Sequence, residues 1–146
     1  MEEYGLQSFT LNVLDKRQTL TEKLVSLIRF SLSENYIYDV AAKIRHFYDL
    51  HYLLQDSECA EYLQSEQFKT DFNTLLTHDR ETFDKPEGWN TMEIGQSPLL
   101  SDFPALWSNL KETYLKEIPA IAFSEIPEED VIAKSIINIT ELIKSL

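Results

Sequence analysis

Apolar residues recur with helical spacing over most of this chain. Leu20, Leu24, Leu27, Ile28 and Leu32 form one stripe at steps of three and four, which predicts an amphipathic helix ending at Ser33-Glu34-Asn35. Thr19-Leu20-Thr21-Glu22 reads as its capping box, with the Thr19 hydroxyl accepting from the Glu22 amide and Glu22 reaching back. A second helix is predicted from about Ile37 to Gln55, with Ile37, Val40, Ala41, Ile44, Phe47, Tyr48, His51 and Leu54 as its core stripe. Beside that stripe run Tyr38, Ala42, Arg45, Asp49 and Tyr52, a mixture of aromatic and ionic groups that suits a pocket wall. Further helices are expected near 57–64 and 65–83, the latter with Phe68, Phe72, Leu75 and Leu76 inward. Another is expected near 102–117, carrying Phe103, Leu106, Trp107, Leu110, Tyr114 and Leu115. The last starts at Glu128-Glu129-Asp130, acids well placed at a helix N-terminus, and buries Val131, Ile132, Ile136, Ile139, Leu142 and Ile143. Residues 84–101 hold Pro86, Gly88, Gly95 and Pro98 and read as a long loop.

The first residues follow a different rhythm. Ser8-Phe9-Thr10-Leu11-Asn12-Val13-Leu14 alternates polar and apolar side chains with period two, the pattern of a strand with one buried face. One strand cannot form a sheet, and no clear partner strand follows. The strand at 8–14 is therefore expected to pair with a second copy or with a larger sheet. The fold class predicted is mainly α: a bundle of about five to six helices preceded by one N-terminal β-strand.

The 146 residues are enough for one domain with a real core, and 43% apolar with 26% charged residues is a globular composition. No run of 18 apolar residues exists, so no membrane partner is expected. Met1-Glu2-Glu3-Tyr4 is acidic and is not expected to open a signal peptide. The lone Cys59 reads as a small core residue and fits a reducing cytoplasm. The net charge of −12 is uneven: residues 1–56 carry six Lys and Arg against eight Asp and Glu, whereas 57–146 carry seven against 17. So acidic a surface repels a nucleic-acid backbone, and any contact with RNA belongs to the near-neutral first third.

Most chemistry that announces itself by motif is missing. There is no G-x-G-x-x-G, P-loop, H-E-x-x-H or G-x-S-x-G, and no D-x-D to hold a divalent ion. His46 and His51 stand five apart, a poor offset for sharing a metal, and read as one exposed and one packed. The exception is Lys23, Arg45 and Asp49. Lys23 shares one side of its helix with Leu20 and Leu27, and Arg45 and Asp49 lie one turn apart on the next helix. Charge beside an apolar face is costly unless it is paired or used. The three are either a structural ion-pair network tying the helices together or a phosphate site. In the second case Lys is a point-charge donor, Arg a forked donor, and Asp orients them or accepts a proton.

Thr19-Leu20-Thr21-Glu22-Lys23-Leu24, followed by Arg45-His46-Phe47-Tyr48-Asp49-Leu50, resembles the second half of the AbiEii/AbiGii nucleotidyltransferase toxin family. The resemblance is specific over about residues 8–55 and carries on in spacing beyond. It implies that residues 1–18 are a strand and linker from a nucleotidyltransferase core and that 19–146 form its C-terminal helical domain. By the same resemblance, Lys23 and Asp49 are catalytic, with Lys23 on phosphate and Asp49 the acid of the Y-D-L motif. Arg45 and Arg29 are taken as substrate-binding, and His46 stands where many members carry Asp. The complete enzyme would use Mg²⁺ to transfer a nucleoside monophosphate from a nucleoside triphosphate to an acceptor such as tRNA. The family's Gly-Ser motif and paired-Asp metal site do not occur in these 146 residues. No metal or cofactor is therefore assigned to this chain, which is expected to be inactive alone and to have the missing core as its partner. The competing reading is a non-catalytic helical interaction module.

Overall fold

The computed structural model describes residues 11–118 and 127–145. Among them are eight helices and no strand. The first helix, α1 (Leu11–Ser31), is the axis of the fold. It packs against α2 (Tyr36–Ala41), α3 (Ile44–Leu54), α4 (Ser57–Leu63), α5 (Glu66–Thr82) and α6 (Pro98–Ser101). A second layer is made by α7 (Phe103–Glu117) and α8 (Glu129–Lys144), which pack on each other, on α3 and on α6.

This corrects the expectation of an N-terminal strand. Residues 11–14 are helical, the first turn of α1, while 8–10 lie outside the described residues. Over so short a run, the alternation of Phe9, Leu11 and Val13 in the sequence cannot separate period two from period 3.6. A helix satisfies its backbone groups locally, whereas a single strand leaves them open. With the strand goes the ground for pairing two copies through 8–14. The capping box is corrected as well. α1 runs unbroken through Gln18 and Thr19, and the Thr21 hydroxyl donates back to the Arg17 carbonyl at 3.0 Å.

At about 100° per residue, Leu27, Leu20, Leu24, Ile28 and Val25 cover an arc of about 160° on α1. All five are buried. Lys16 and Lys23, seven residues apart, fall together at one edge of that arc, and Gln18, Glu22 and Arg29 at the other. The placement of the site follows from this division.

The helix expected over 37–55 is broken at Ala42–Lys43, where Lys43 N donates to Val40 O, three residues back. No Gly or Pro marks the break. It lets α2 turn onto α7 while α3 packs on α8. Ile37 and Tyr38 are consequently exposed. Phe47 is fully buried, with its ring 5.6 Å from Trp107 and 6.3 Å from Phe103. Leu115 and Val131, expected inside, face solvent, whereas Ile132, Ile136, Ile139 and Ile143 are buried. Of the loop expected over 84–101, Pro98–Ser101 is the helix α6, and the rest is ordered by two 3-10 turns, Trp89–Thr91 and Ile94–Gln96. Buried Trp89, Leu99 and Leu100 pin it to the core. Cys59 is buried, as its residue type predicts.

Candidate functional site

Lys23 reaches Asp49 from the edge of α1, Nζ to Oδ2 at 3.0 Å. Arg45, one turn before Asp49 on α3, brings its Nε to 3.9 Å from the same oxygen. Seven residues earlier on α1, Lys16 Nζ meets Asp56 Oδ2 at 2.7 Å, just past the end of α3. The two bridges run in opposite chain order, so α1 and α3 are antiparallel and one edge of their contact is lined by ion pairs. Lys23 and Asp49 keep 20% and 28% of their side-chain surface and Arg45 keeps 64%. The cluster is half-buried and open to a ligand.

A further cation and an imidazole join it. Lys43, at the N-cap of α3, lies with its Nζ 4.6 Å from the centre of the Phe30 ring on α1. His46 follows in the first turn of α3, its Nδ1 buried and without a hydrogen-bond partner. Burial, helped by the charges of Lys23 and Lys43, pushes the imidazole down to about 4, with Asp49 pulling weakly the other way. It is neutral at physiological pH. The first turn of α3 contains no acid and its N-cap side chain makes no capping hydrogen bond. That is the reverse of what a helix N-terminus favours. The sequence signal for this feature is the run Lys43-Ile44-Arg45-His46 at a helix start, where acids are usual. Residue spacing alone gives His46 no role and leaves Lys43 out of the site.

Arg29 is not part of this cluster. Its Nε donates to the Lys85 carbonyl at 2.6 Å. Its guanidinium lies 4.3 Å from the centre of the Phe83 ring and 5.6 Å from that of Trp89, bracing the 83–91 connection. His51 is packed as expected, with Nδ1 2.8 Å from the Ser135 hydroxyl and burial lowering its pKa. A separate groove of about 800 Å³ lies on another side of α1, between Arg17, Thr21, Tyr62 and Asp71. There the Tyr62 hydroxyl donates to Asp71 at 2.5 Å, and burial pushes that phenol up to about 12.

The model of the family described as "Nucleotidyl transferase AbiEii toxin, Type IV TA system" matches residues 1–129. The chain belongs to this family of toxin–antitoxin nucleotidyltransferases. No curated protein and no solved structure matches it. Among the described residues, no helix is long and apolar enough to cross a membrane.

The Mg²⁺ implied by the chemistry of such enzymes does not suit the Lys23 cluster. Asp49 is its single carboxylate among the described residues, and that carboxylate is already held by an ammonium at 3.0 Å beside a guanidinium. Nor do three His, Cys, Asp or Glu converge elsewhere among the described residues. The same cations suit an anion such as a polyphosphate.

Proposed function

We propose that this chain is the helical side of a nucleotidyltransferase site, in which Lys23 and Arg45 hold the phosphates of a nucleoside triphosphate and Asp49 orients Lys23. In the reaction an acceptor oxygen attacks the α-phosphorus. The bond from that phosphorus to the bridging oxygen breaks, pyrophosphate leaves with the electron pair, and the acceptor's hydroxyl proton passes to solvent. The acceptor is an RNA such as tRNA. Lys23 and Arg45 offset the negative charge that gathers on the phosphate oxygens. The single observation carrying this reading is the half-exposed Lys23–Asp49 contact at 3.0 Å, with Arg45 beside it, on a chain otherwise strongly acidic. In this reading Mg²⁺ is held by a core bearing the Gly-Ser and paired-Asp motifs, which is this chain's partner, and the chain alone does not turn over. The setting that fits one buried, unoxidised cysteine is the cytoplasm.

The test uses α-labelled nucleoside triphosphates and tRNA. The pure chain is expected to give no labelled RNA but to bind the triphosphate, with K23A binding at least tenfold more weakly. Robust labelling by the pure chain, or equal binding by K23A, would overturn the reading. A second reading, a non-catalytic interaction module, is favoured by exposed Tyr38 and Ile37. They line a hollow of about 490 Å³ with Asn109 and Thr113. It predicts that K23A leaves partner capture and triphosphate binding unchanged.

A further inference from the structure

We propose that Lys23, Lys43, Arg45 and His46 form one polyphosphate-binding cluster at the amino end of α3, and that His46 takes up a proton as the anion binds. The inference rests on the proposed function, which places phosphates at Lys23, and adds two residues and a coupled proton to it.

Three cations and an imidazole surround the positive end of an 11-residue helix that has no acid in its first turn and no side-chain cap. Like charges so placed repel one another and the helix dipole. The charged groups facing His46 are Lys23 from α1, Lys43 from the α2–α3 turn, and Arg45 and Asp49 from α3 itself. Only Asp49 is negative, and it is engaged by Lys23. His46 relieves the repulsion by staying neutral, and its Nδ1 is buried without a partner. A polyphosphate removes the repulsion. Its charge offsets Lys23, Lys43 and Arg45, so the imidazolium becomes favourable. Lys43 is held for this by Phe30, whose ring fixes its ammonium at 4.6 Å on the α1 side of the cluster.

The linkage has a definite sign. A proton gained on binding makes binding tighter as pH falls between the midpoints of bound and free imidazole. The free midpoint is about 4. An anion within a few ångströms raises it by about 2 units, so about half a proton is taken up at pH 6.

The test uses the full chain and inorganic tripolyphosphate. The histidine Cε1–Hε1 signals are titrated from pH 4 to 8 with and without tripolyphosphate, and the His46 signal is assigned by its loss in H46N. Its midpoint is expected near 4 in the free chain and about 2 pH units higher with saturating anion, while that of His51 stays put. Calorimetry at pH 6 in two buffers of different ionisation heat should count about half a proton taken up by the wild type, beyond that taken up by tripolyphosphate itself. H46N, checked for its fold by circular dichroism, should still bind within about fivefold but without that proton. K23A should lose binding. If tripolyphosphate binds through Lys23 but the His46 midpoint does not move, the proton coupling is wrong and the phosphate site stands. If tripolyphosphate does not bind, or K23A binds equally well, both fall.

Discussion

Lys23 and Asp49 meet at 3.0 Å across α1 and α3, and Lys16 and Asp56 repeat the contact seven residues away on each segment. The repeat fixes the register of two antiparallel helices. It also places a cation at the half-exposed edge where Arg45, Lys43 and His46 gather. A double-mutant cycle of K23A, D49A and the double variant, followed by urea unfolding, should give a coupling of about 0.5–1 kcal/mol, given the partial exposure of both partners. The coupling should shrink in 1 M salt. Strict additivity at low salt would mean the contact is not populated in solution.

Stability should depend on pH through His46. Its folded midpoint is about 4, against 6.5 for a free imidazole. Between those values the unfolded chain binds more protons than the folded one, so stability falls as pH drops from about 6.5 towards 4. His51, lowered by burial, acts in the same direction. After a discount for the partial exposure of His46, its share between pH 6.8 and 5.2 is about 1 kcal/mol. Urea midpoints at the two pH values should differ less in H46N than in the wild type. Equal differences would remove His46 as the source.

Gly88 adopts φ +84°, and nothing lies within 4 Å of the position a Cβ would take. Space is therefore no obstacle, but the left-handed backbone is unfavourable for any L side chain. Gly88→Ala should destabilise the chain by about 1 kcal/mol. R29A, which removes the donor to Lys85 O and the cation over Phe83, should act on the same connection. Limited proteolysis is expected to cut within 83–91 faster in both variants. Unchanged cleavage would show that the connection is held from elsewhere.

Core and surface apolar residues should separate sharply. Phe47, fully buried between Trp107 and Phe103, should cost about 3–5 kcal/mol when replaced by Ala. Leu115→Ala and Val131→Ala, at 57% and 43% exposure, should each change stability by less than about 0.5 kcal/mol. Thermal unfolding of the three variants decides it. A large loss in L115A would mean that its face is covered in solution.

Local and periodic information was sufficient for much of this protein. The stripes Leu20–Leu32, Phe68–Leu76 and Ile132–Ile143 repeat long enough at 3.6 residues to be read as helices, and they became core, with Leu75 and Leu142 partly buried at its margin. Charge at Lys23, Arg45 and Asp49 beside those stripes was legible because apolar spacing fixes which residues share a side. The tertiary structure decided what short or ambiguous patterns could not. It made residues 11–14 helical, since a helix needs no partner for its backbone. It broke the second helix at Ala42–Lys43, because α3 packs on α8 as well as on the α1 and α7 that it shares with α2, and no local residue encodes that. It turned Leu115 and Val131 outward, since hydrophobicity says that a residue can be buried and only the neighbouring helices say whether it is. It also drew Arg29 to Phe83 and Lys85, 54 and 56 residues on, and left His46 neutral among three cations. Contacts between segments far apart in the chain carry no period, and the environment of an ionisable group is a property of everything packed around it.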